Sequence, residues 1–275
     1  MTPAEPANDQ RNPDPGPAST AEVAIGVAED VLSPTAPGPP EEVAVLRDLP
    51  PVAFWGAGRW PVALVATCVA SGATFAALSV WVAVQGAQPA AVDSAVHGWV
   101  VAHRSAGSLV LARAVTWGGV TAFAIPALVV VGATALKAGS SYARRIRAGV
   151  LLSGAAGLGV FLGLRVNAVV GRARPSMADW AGAAGGPSFP SGHTTVATIF
   201  ATFCAWALAD RLPAGWPRRL LWATAAVYAA AVGFSRVWLG VHWPTDVLGG
   251  WFFGVTWFTG VTLVVGWRRQ RAHRS

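Results

Sequence analysis

The stretch Pro61–Val84, PVALVATCVASGATFAALSVWVAV, contains no charged residue. A helix of roughly 20 residues crosses the ~30 Å hydrocarbon layer of a membrane. Five more apolar stretches follow, and the six predicted spans are Pro61–Val84, Val115–Leu136, Ala148–Val166, Thr194–Ala209, Leu220–Phe234 and Val247–Trp267. Because backbone polar groups in lipid must be satisfied internally, each span should be a helix. The sequence therefore predicts an all-α fold, a bundle of six transmembrane helices.

The composition of the 275 residues agrees with a membrane protein. The chain is 53% hydrophobic and only 12% charged, whereas a soluble globular protein carries about 25% charged residues. The net charge of +7 rests almost entirely on arginine, and beside so many apolar stretches it favours anionic lipid over nucleic acid as the partner. Cys68 and Cys204 both lie in apolar stretches, which argues against a disulfide framework or a cysteine zinc site.

The first 60 residues differ from the rest of the chain. They hold 11 of the 20 prolines and no sustained apolar periodicity, which predicts a disordered tail. No basic stretch precedes an early apolar segment, so we expect the first span to be an uncleaved anchor rather than a signal peptide. The predicted regions are a disordered tail over 1–60, a six-span domain over 61–267 and a basic tail over 268–275.

The placement of arginine and lysine predicts the orientation. Both tails and the alternate loops between them hold 14 of the 20 basic residues. By the positive-inside rule both termini are cytoplasmic, and the first, third and fifth loops face outward. The Ala-, Gly- and Arg-rich, Lys-poor usage is typical of a bacterium with a GC-rich genome, so we expect a bacterial plasma membrane.

The third and fifth loops carry most of the polar residues that membrane anchoring does not explain. The relevant stretches are NAVVGRARP (167–175), SFPSGHTT (188–195) and SRVWLGVHWPTD (235–246). Acidic residues are rare here, because only Asp93, Asp179, Asp210 and Asp246 follow Trp60. Each of these four carboxylates is therefore conspicuous.

These loops contain the parts of a phosphate-binding site. Guanidinium groups present forked donors suited to phosphate oxygens and remain charged at any relevant pH. Ser191 and Gly192 directly precede the fourth span, where free backbone N–H groups and the helix dipole favour an anion. Arg174 and Arg236 alternatively contact lipid headgroups, and Arg172 fits both interpretations equally.

Two histidines and an aspartate complete the set. His242 and Asp246 are four residues apart, and Pro244 suits the first turn of a helix, so both side chains can share one face. A carboxylate that accepts a hydrogen bond from one imidazole nitrogen leaves the other nitrogen free as a nucleophile. His193 could protonate a departing alkoxide. Singly each could be an interface residue, but the joint spacing favours a site.

On these residues the chain resembles the type 2 phosphatidic acid phosphatases, the membrane branch of a superfamily that includes vanadium haloperoxidases and soluble acid phosphatases. The family motifs are K-x6-R-P, P-S-G-H and S-R-x5-H-x3-D. Pro190–His193 and Ser235–Asp246 match the second and third in full. Arg174 and Pro175 fit the first motif, while Asn167 stands where the family has lysine. The resemblance covers all six spans.

The resemblance implies a metal-independent phosphatase that acts without a cofactor. It implies that His242, oriented by Asp246, attacks phosphorus to form a phosphohistidine, and that His193 protonates the leaving group. The residues expected at the phosphoryl oxygens are Arg174, Arg236, Ser191 and Gly192, with Arg172 and Asn167 as further candidates. Candidate substrates are phosphatidic acid, phosphatidylglycerol phosphate and a polyprenyl diphosphate such as undecaprenyl diphosphate. The sequence does not choose among them, nor does it give the oligomeric state.

Asn167 keeps two alternatives open. It cannot supply the positive charge of the family lysine, and losing one preorganised donor lowers a rate by roughly 10²-fold or more. We therefore expect Asn167→Lys to raise turnover. A catalytically silent lipid-binding or transport protein of the same fold is one alternative. A vanadate-dependent haloperoxidase is the other, disfavoured because those relatives are soluble.

Three glycines and two histidines have simpler interpretations. Gly157, Gly159 and Gly163 in the third span are predicted to allow close helix packing rather than to bind a dinucleotide. His97 and His103, six apart in the first loop, share no helical face, so we expect them on the solvated surface.

Overall fold

The computed structural model describes Met1 and residues 62–86, 88–136 and 139–272. The predicted disordered tail, apart from Met1, and the last three residues of the basic tail lie outside these ranges. The described residues form eight α-helices: α1 Val62–Val84, α2 Ala91–His103, α3 Ala106–Thr116, α4 Thr121–Ala135, α5 Tyr142–Val170, α6 Gly192–Ala209, α7 Trp216–Trp238 and α8 Pro244–Ala272.

The prediction of an all-α bundle of six spans is confirmed, with one span broken. Helices α1, α5, α6, α7 and α8 are each long and apolar enough to cross a membrane. The remaining span, which is the second in chain order, consists of two consecutive helical segments, Ala106–Gly119 and Thr121–Ala135, whose axes differ in direction by 52°. The bend lies at a short 3₁₀ segment, Trp117–Gly119, and its paired glycines are a usual cause of a sharp kink.

Two helices, α2 and α3, occupy the region that the sequence interpretation left as the first loop. They have 13 and 11 residues, so neither helix alone is long enough to cross a membrane, and length and hydropathy along the sequence did not reveal them. On α2 the buried residues are Asp93, His97 and Val100, which recur at helical spacing and form one inward face. The expectation that His97 is solvated is therefore wrong, because this face packs on the bundle; His103 is exposed as expected.

Helix α6 lies at the centre of the bundle. It packs against α4, α5, α7 and α8, and 67% of its residues are buried. The core around it includes Leu128, Leu152, Ile199, Phe203 and Phe258. Because α6 contacts four neighbours, it is the rigid element on which residues at its N-terminus can be positioned.

Helix α1 lies at the periphery and packs on α8. Only 6% of the residues in its 18-residue apolar stretch are buried. Val69 and Val80 each expose more than half of their surface. A helix that is apolar on its outer face suits a lipid environment. These valines are therefore expected to contact hydrocarbon.

The glycines of α5 allow close packing, as predicted. A Cβ at Gly159 would lie 2.4 Å from the ring of Trp257, and one at Gly163 would lie 3.3 Å from Phe253 and Thr195. Gly157 is looser, with Ile125 at 4.0 Å. The prediction is thus confirmed at Gly159 and Gly163, where α8 and α6 approach the helix.

The polar motifs meet at one end of the bundle. There α5 and α7 end while α6 and α8 begin, so loops 171–191 and 239–243 are neighbours. Gly171, at φ 65°, ends α5 in the left-handed conformation that favours glycine. Arginine clusters mark the opposite end, where Arg211 donates hydrogen bonds to the carbonyls of Thr134 and Leu136 at the end of α4.

Candidate active site

His242 and Asp246 form the centre of the site. His242 is 1% exposed and Asp246 is fully buried. Nδ1 of His242 lies 3.3 Å from Oδ2 of Asp246, and that oxygen also accepts a hydrogen bond from the backbone N–H of Trp243 at 2.9 Å. An ionised carboxylate only accepts hydrogen bonds, so it selects the tautomer with a proton on Nδ1. Nε2 of His242 then carries a lone pair.

Arg174 lies directly over that lone pair. Its Nη1 is 2.8 Å from Nε2 of His242 and donates to the carbonyl of Val241 at 2.9 Å. The other two guanidinium nitrogens donate to carbonyls of the loop, from Gly185, Gly186 and Pro187, each at 2.9 Å. The sequence expectation that Arg174 lies at the reacting centre is consistent with this position.

Arg172, which we expected as a candidate phosphate ligand, lies elsewhere. Its side chain is fully buried, with Nη1 2.7 Å from Oδ1 of Asp246 and Nη2 2.7 Å from Oδ2 of Asp93. Nη1 also donates to Oγ1 of Thr245 at 2.7 Å. Because two carboxylates compensate its charge, Arg172 supports Asp246 instead of facing a phosphate, and the expectation is corrected.

His193 is the first-turn residue of α6 and is partly exposed. It interacts electrostatically with Arg236, His242 and Arg174, so both imidazoles belong to one site. Gly119, at the bend between α3 and α4, packs against it so closely that a Cβ there would lie 2.7 Å from Cβ of His193. The bend of the broken span therefore packs directly against this histidine.

A pocket of about 360 Å³ opens beside His193. Its walls come from Gly119–Ala122 at the bend, Val160 and Leu164 of α5, and Pro190 and His193 at the start of α6. Most of these groups are aliphatic, so the pocket suits a hydrocarbon chain.

Arg236 reaches the site from the last turn of α7. Its Nη1 donates to Oγ1 of Thr116 at 2.8 Å, and its Nη2 donates to the carbonyl of Ala183 at 3.1 Å. Nε of Arg236 is buried without a hydrogen-bond partner among the described residues. The side chain is 2% exposed in all, so Thr116 is one of the groups that fix the direction of its guanidinium.

Ser191 and Gly192 form the start of α6, as predicted. Ser191 is the N-cap residue, and its hydroxyl caps none of the first-turn N–H groups. Instead Oγ of Ser191 accepts a hydrogen bond from Thr194 at 3.0 Å, and its backbone N–H donates to the carbonyl of Asp246 at 3.0 Å. The first turn can therefore offer N–H groups to an anion.

Asn167 occupies the last turn of α5. Its amide donates to the carbonyls of Pro187 and Pro190, each at 3.1 Å. These bonds hold the loop that leads into Ser191. In this structure Asn167 thus acts on the loop rather than on the phosphate position that the sequence interpretation considered.

Burial and charge both act on the ionisation of the loop residues. Burial lowers the pKa of His242 to about 4, although the hydrogen bond and charge of Asp246 oppose the change, and the charges of Arg174 and Arg236 lower it further. Burial also lowers the pKa of Arg174, against the charge of Asp246. His242 is therefore neutral at physiological pH and able to act as a nucleophile. Within the described ranges no group of three or more His, Cys, Asp or Glu side chains is arranged to hold a metal.

Known proteins resemble this chain in the region that contains the three motifs. The sequence pattern of the PAP2 superfamily matches residues 148–270, which include all three motifs. Phosphatidylglycerophosphatase B of Bacillus subtilis is 33% identical over 145 residues, which are 52% of this chain and 68% of that protein. The chain belongs to the PAP2 superfamily. Lipid A 1-phosphatase of Rhizobium johnstonii is 38% identical over 119 residues, but the match covers only 44% of its length.

A solved PAP2 structure shares the fold. It is the crystal structure of the first transmembrane PAP2-type phosphatidylglycerolphosphate phosphatase from Bacillus subtilis, with a TM-score of 0.62 and 27% identity. The match covers 74% of this chain and 96% of that one. Together with the apolar helices, this shows that the chain is an integral membrane protein.

Sequence reasoning missed several residues that lie around the PAP2 motifs. Asp93 lies on α2, while Thr116 and Gly119 lie at the bend of the broken span, and neither region contains a motif. The rarity of acidic residues did single out Asp93, but nothing in the sequence linked it to Arg172. Thr116 and Gly119 gave no signal, because their contacts with Arg236 and His193 exist only in the folded bundle.

Proposed function

We propose that this protein hydrolyses a phosphomonoester or diphosphate of a membrane lipid through a phosphohistidine at His242. The observation that carries the proposal is the geometry of one imidazole: Nδ1 faces the carboxylate of Asp246, and Nε2 faces the guanidinium of Arg174. The nucleophilic nitrogen is thus unprotonated and lies beside a group that binds phosphate.

The first step forms a bond from Nε2 of His242 to phosphorus and breaks the bond from phosphorus to the lipid oxygen. Asp246 stabilises the positive charge that develops on the imidazole. Arg174 and Arg236 bind the equatorial oxygens together with the first turn of α6, where Ser191 and Gly192 lie. Such stabilisation acts where charge develops and supplies a large part of a phosphoryl-transfer rate.

His193 handles the proton in both steps. In its protonated form His193 donates a proton to the departing lipid oxygen, and the neutral imidazole that remains then removes a proton from the water that attacks the phosphohistidine. This second step releases inorganic phosphate and restores neutral His242. A positioned acid or base of this kind contributes typically 10²- to 10⁴-fold.

The pocket beside His193 suggests where the lipid chain lies. Because His193 protonates the leaving group, the leaving chain must extend from that side, and the aliphatic walls of the pocket suit it. Most of its wall residues lie on membrane-spanning helices, which favours sideways entry of a lipid from the bilayer. A lipid substrate is therefore favoured over a small soluble phosphate ester.

The distribution of charge supports an extracytoplasmic site. The motif loops lie at one end of the bundle, and Arg144, Arg145, Arg211 and Arg218 mark the other end. By the positive-inside rule the arginine end is cytoplasmic. Both termini are then cytoplasmic, and the substrate comes from the outer leaflet of a bacterial plasma membrane.

The test is a substrate panel with matched variants. Purified protein is assayed for phosphate release from phosphatidic acid, phosphatidylglycerol phosphate and undecaprenyl diphosphate. We expect release by the wild type and by His103→Ala, since His103 is exposed, but not by His242→Ala. Mass spectrometry after rapid quenching should find phosphate on His242. Equal release by wild type and His242→Ala would reject the mechanism.

A second candidate function is a lipid-binding protein without turnover, and Asn167 is the observation that favours it. It predicts lipid binding with no phosphate release from any member of the panel. Addition of vanadate distinguishes the proposed phosphatase from a haloperoxidase, because vanadate should inhibit a phosphatase and activate a vanadate-dependent peroxidase.

A further inference from the structure

Asp93 lies on α2, outside the three motifs, yet its carboxylate is fully buried next to α8. Oδ2 accepts hydrogen bonds from Nη2 of Arg172 at 2.7 Å and from Oγ1 of Thr245 at 2.8 Å. Oδ1 accepts one from the backbone N–H of Thr245 at 3.0 Å. Asp93 thus binds the first turn of the helix that carries Asp246.

Arg172 connects Asp93 to the nucleophile. Nη2 of Arg172 binds Asp93, while Nη1 binds Oδ1 of Asp246 at 2.7 Å. The remaining oxygen of Asp246 faces Nδ1 of His242. A continuous series of polar contacts therefore runs from α2 through Arg172 to the imidazole, and each of its three charged members is fully buried.

We propose that Asp93 is a positioning residue for the reaction, which holds Arg172 so that Asp246 keeps the geometry and charge required to orient His242. The inference rests on the proposed function. Asp93 does not touch the reacting atoms. Its effect passes through Arg172, in the way that outer hydrogen-bonding partners orient the ligands of a metal.

The charge balance of the cluster explains why an acid is needed here. Two carboxylates and one guanidinium give a net charge of −1 beside His242. Without Asp93, Arg172 would be compensated by Asp246 alone, and less negative charge would remain to stabilise the developing imidazolium. Burying such charges is costly, and apolar residues of similar volume often stabilise a fold equally well. Stability alone therefore does not account for this cluster.

Other charged groups also face His242 and must stay unchanged in a test. They are Arg174 from the loop, Arg236 from α7 and His193 from α6, and across the ring of Trp243 lie His97 and its partner Asp179. All of these remain when only Asp93 or Arg172 is replaced, so a change in the pH profile can be assigned to the cluster.

The experiment compares Asp93→Asn, Arg172→Gln and the double variant, and measures kcat and the acid limb of kcat/KM on one lipid phosphate. Removing the negative charge of Asp93 should move the limb to lower pH, and removing the positive charge of Arg172 should move it to higher pH, each by roughly one unit. The double variant restores the net charge of −1, so its limb should return to the wild-type position. We expect kcat of each single variant to fall on the order of 10- to 100-fold.

Asp210→Asn is the matched control, because Asp210 pairs with Arg218 at the opposite end of α6. It should keep the wild-type rate and limb. A folded Asp93→Asn protein with the wild-type limb would overturn the proposal, whatever its rate. If a single variant does not fold, the double variant decides: a limb away from the wild-type position contradicts the proposal. Failure of wild type and Asp210→Asn to release phosphate would instead reject the proposed function itself.

Discussion

Arg174 donates a hydrogen bond of 2.8 Å to Nε2 of His242, the nitrogen that must attack phosphorus. The guanidinium therefore occupies the approach to the nucleophile, and a substrate phosphate has to come between the two groups. Once there, the phosphate contacts both the attacking nitrogen and a forked cation. The same side chain that keeps Nε2 unprotonated in the free protein can thus bind phosphate during the reaction.

Arg174→Lys should lower kcat by roughly 10²-fold, since a lysine keeps the charge but loses the fork and the bonds to the loop carbonyls. Arg113→Lys is the matched control, because Arg113 is exposed and, among the described residues, donates a hydrogen bond to the carbonyl of Ala181. Steady-state assays on a lipid phosphate measure the difference. Equal rates for the two variants would show that the fork of Arg174 is dispensable.

The pH profile should reflect the buried imidazole. His242 attacks only when neutral, and its pKa is lowered to about 4, so kcat/KM should fall as the pH drops through about 4. Asp246→Asn removes the interactions that raise this pKa, which moves the limb to still lower pH. It should also cut kcat by roughly 10⁴-fold, the loss known when a triad aspartate becomes an amide.

The assay compares wild type and Asp246→Asn on the same substrate, so that ionisation of the phosphate affects both equally. A limb that moves to higher pH in Asp246→Asn would contradict the assignment of Asp246 as the partner of His242.

Asn167→Lys should raise turnover, as the lysine of the family motif suggests, because an ammonium group can donate to the loop carbonyls and adds a positive charge near the site. Asn167→Ala should be slower than wild type, since the carbonyls of Pro187 and Pro190 lose their donor. The three proteins are assayed side by side on phosphatidic acid. A lysine variant no faster than wild type would reject the expectation.

Gly119→Ala should displace His193, because the new Cβ would lie 2.7 Å from Cβ of His193 and 2.8 Å from its carbonyl oxygen. We expect kcat to fall on the order of 10²-fold, with a smaller change in KM. Gly107→Ala on α3 is the matched control, since no atom lies within 4 Å of a Cβ there. Similar kcat values for the two variants would show that the bend does not position His193.

The sequence and the structure agree most closely where the evidence is local. Pro244 begins α8 as expected, and His242, which lies in the loop just before this helix, contacts Asp246 in its first turn, as the four-residue spacing predicted. The Ser191–Gly192 pair begins α6 for the same reason. Helix ends were placed less well: α5 runs from Tyr142 rather than Ala148, because apolar character stops at the membrane surface while the helix continues through polar residues.

The disagreements concern residues that meet across long separations in the chain. Arg172 was a candidate phosphate ligand because its long side chain could reach the site, but its partner Asp93 comes from 79 positions earlier. His97 was expected on the surface, since six residues separate it from His103, yet it contacts Asp179 from another loop. Spacing within one segment carries no information about such partners.

The sequence by itself determined the apolar spans, the three motifs and the pairing of His242 with Asp246, because these depend on local hydrophobicity and on residues that are close together in the chain. Only the tertiary structure decided what each arginine does. A guanidinium reaches its partner through several rotatable bonds, and whether that partner is a carbonyl, a carboxylate or a nucleophile depends on which helices the bundle brings together. In this way helix α2 brings Asp93 to Arg172, and the bend at Gly119 packs against His193.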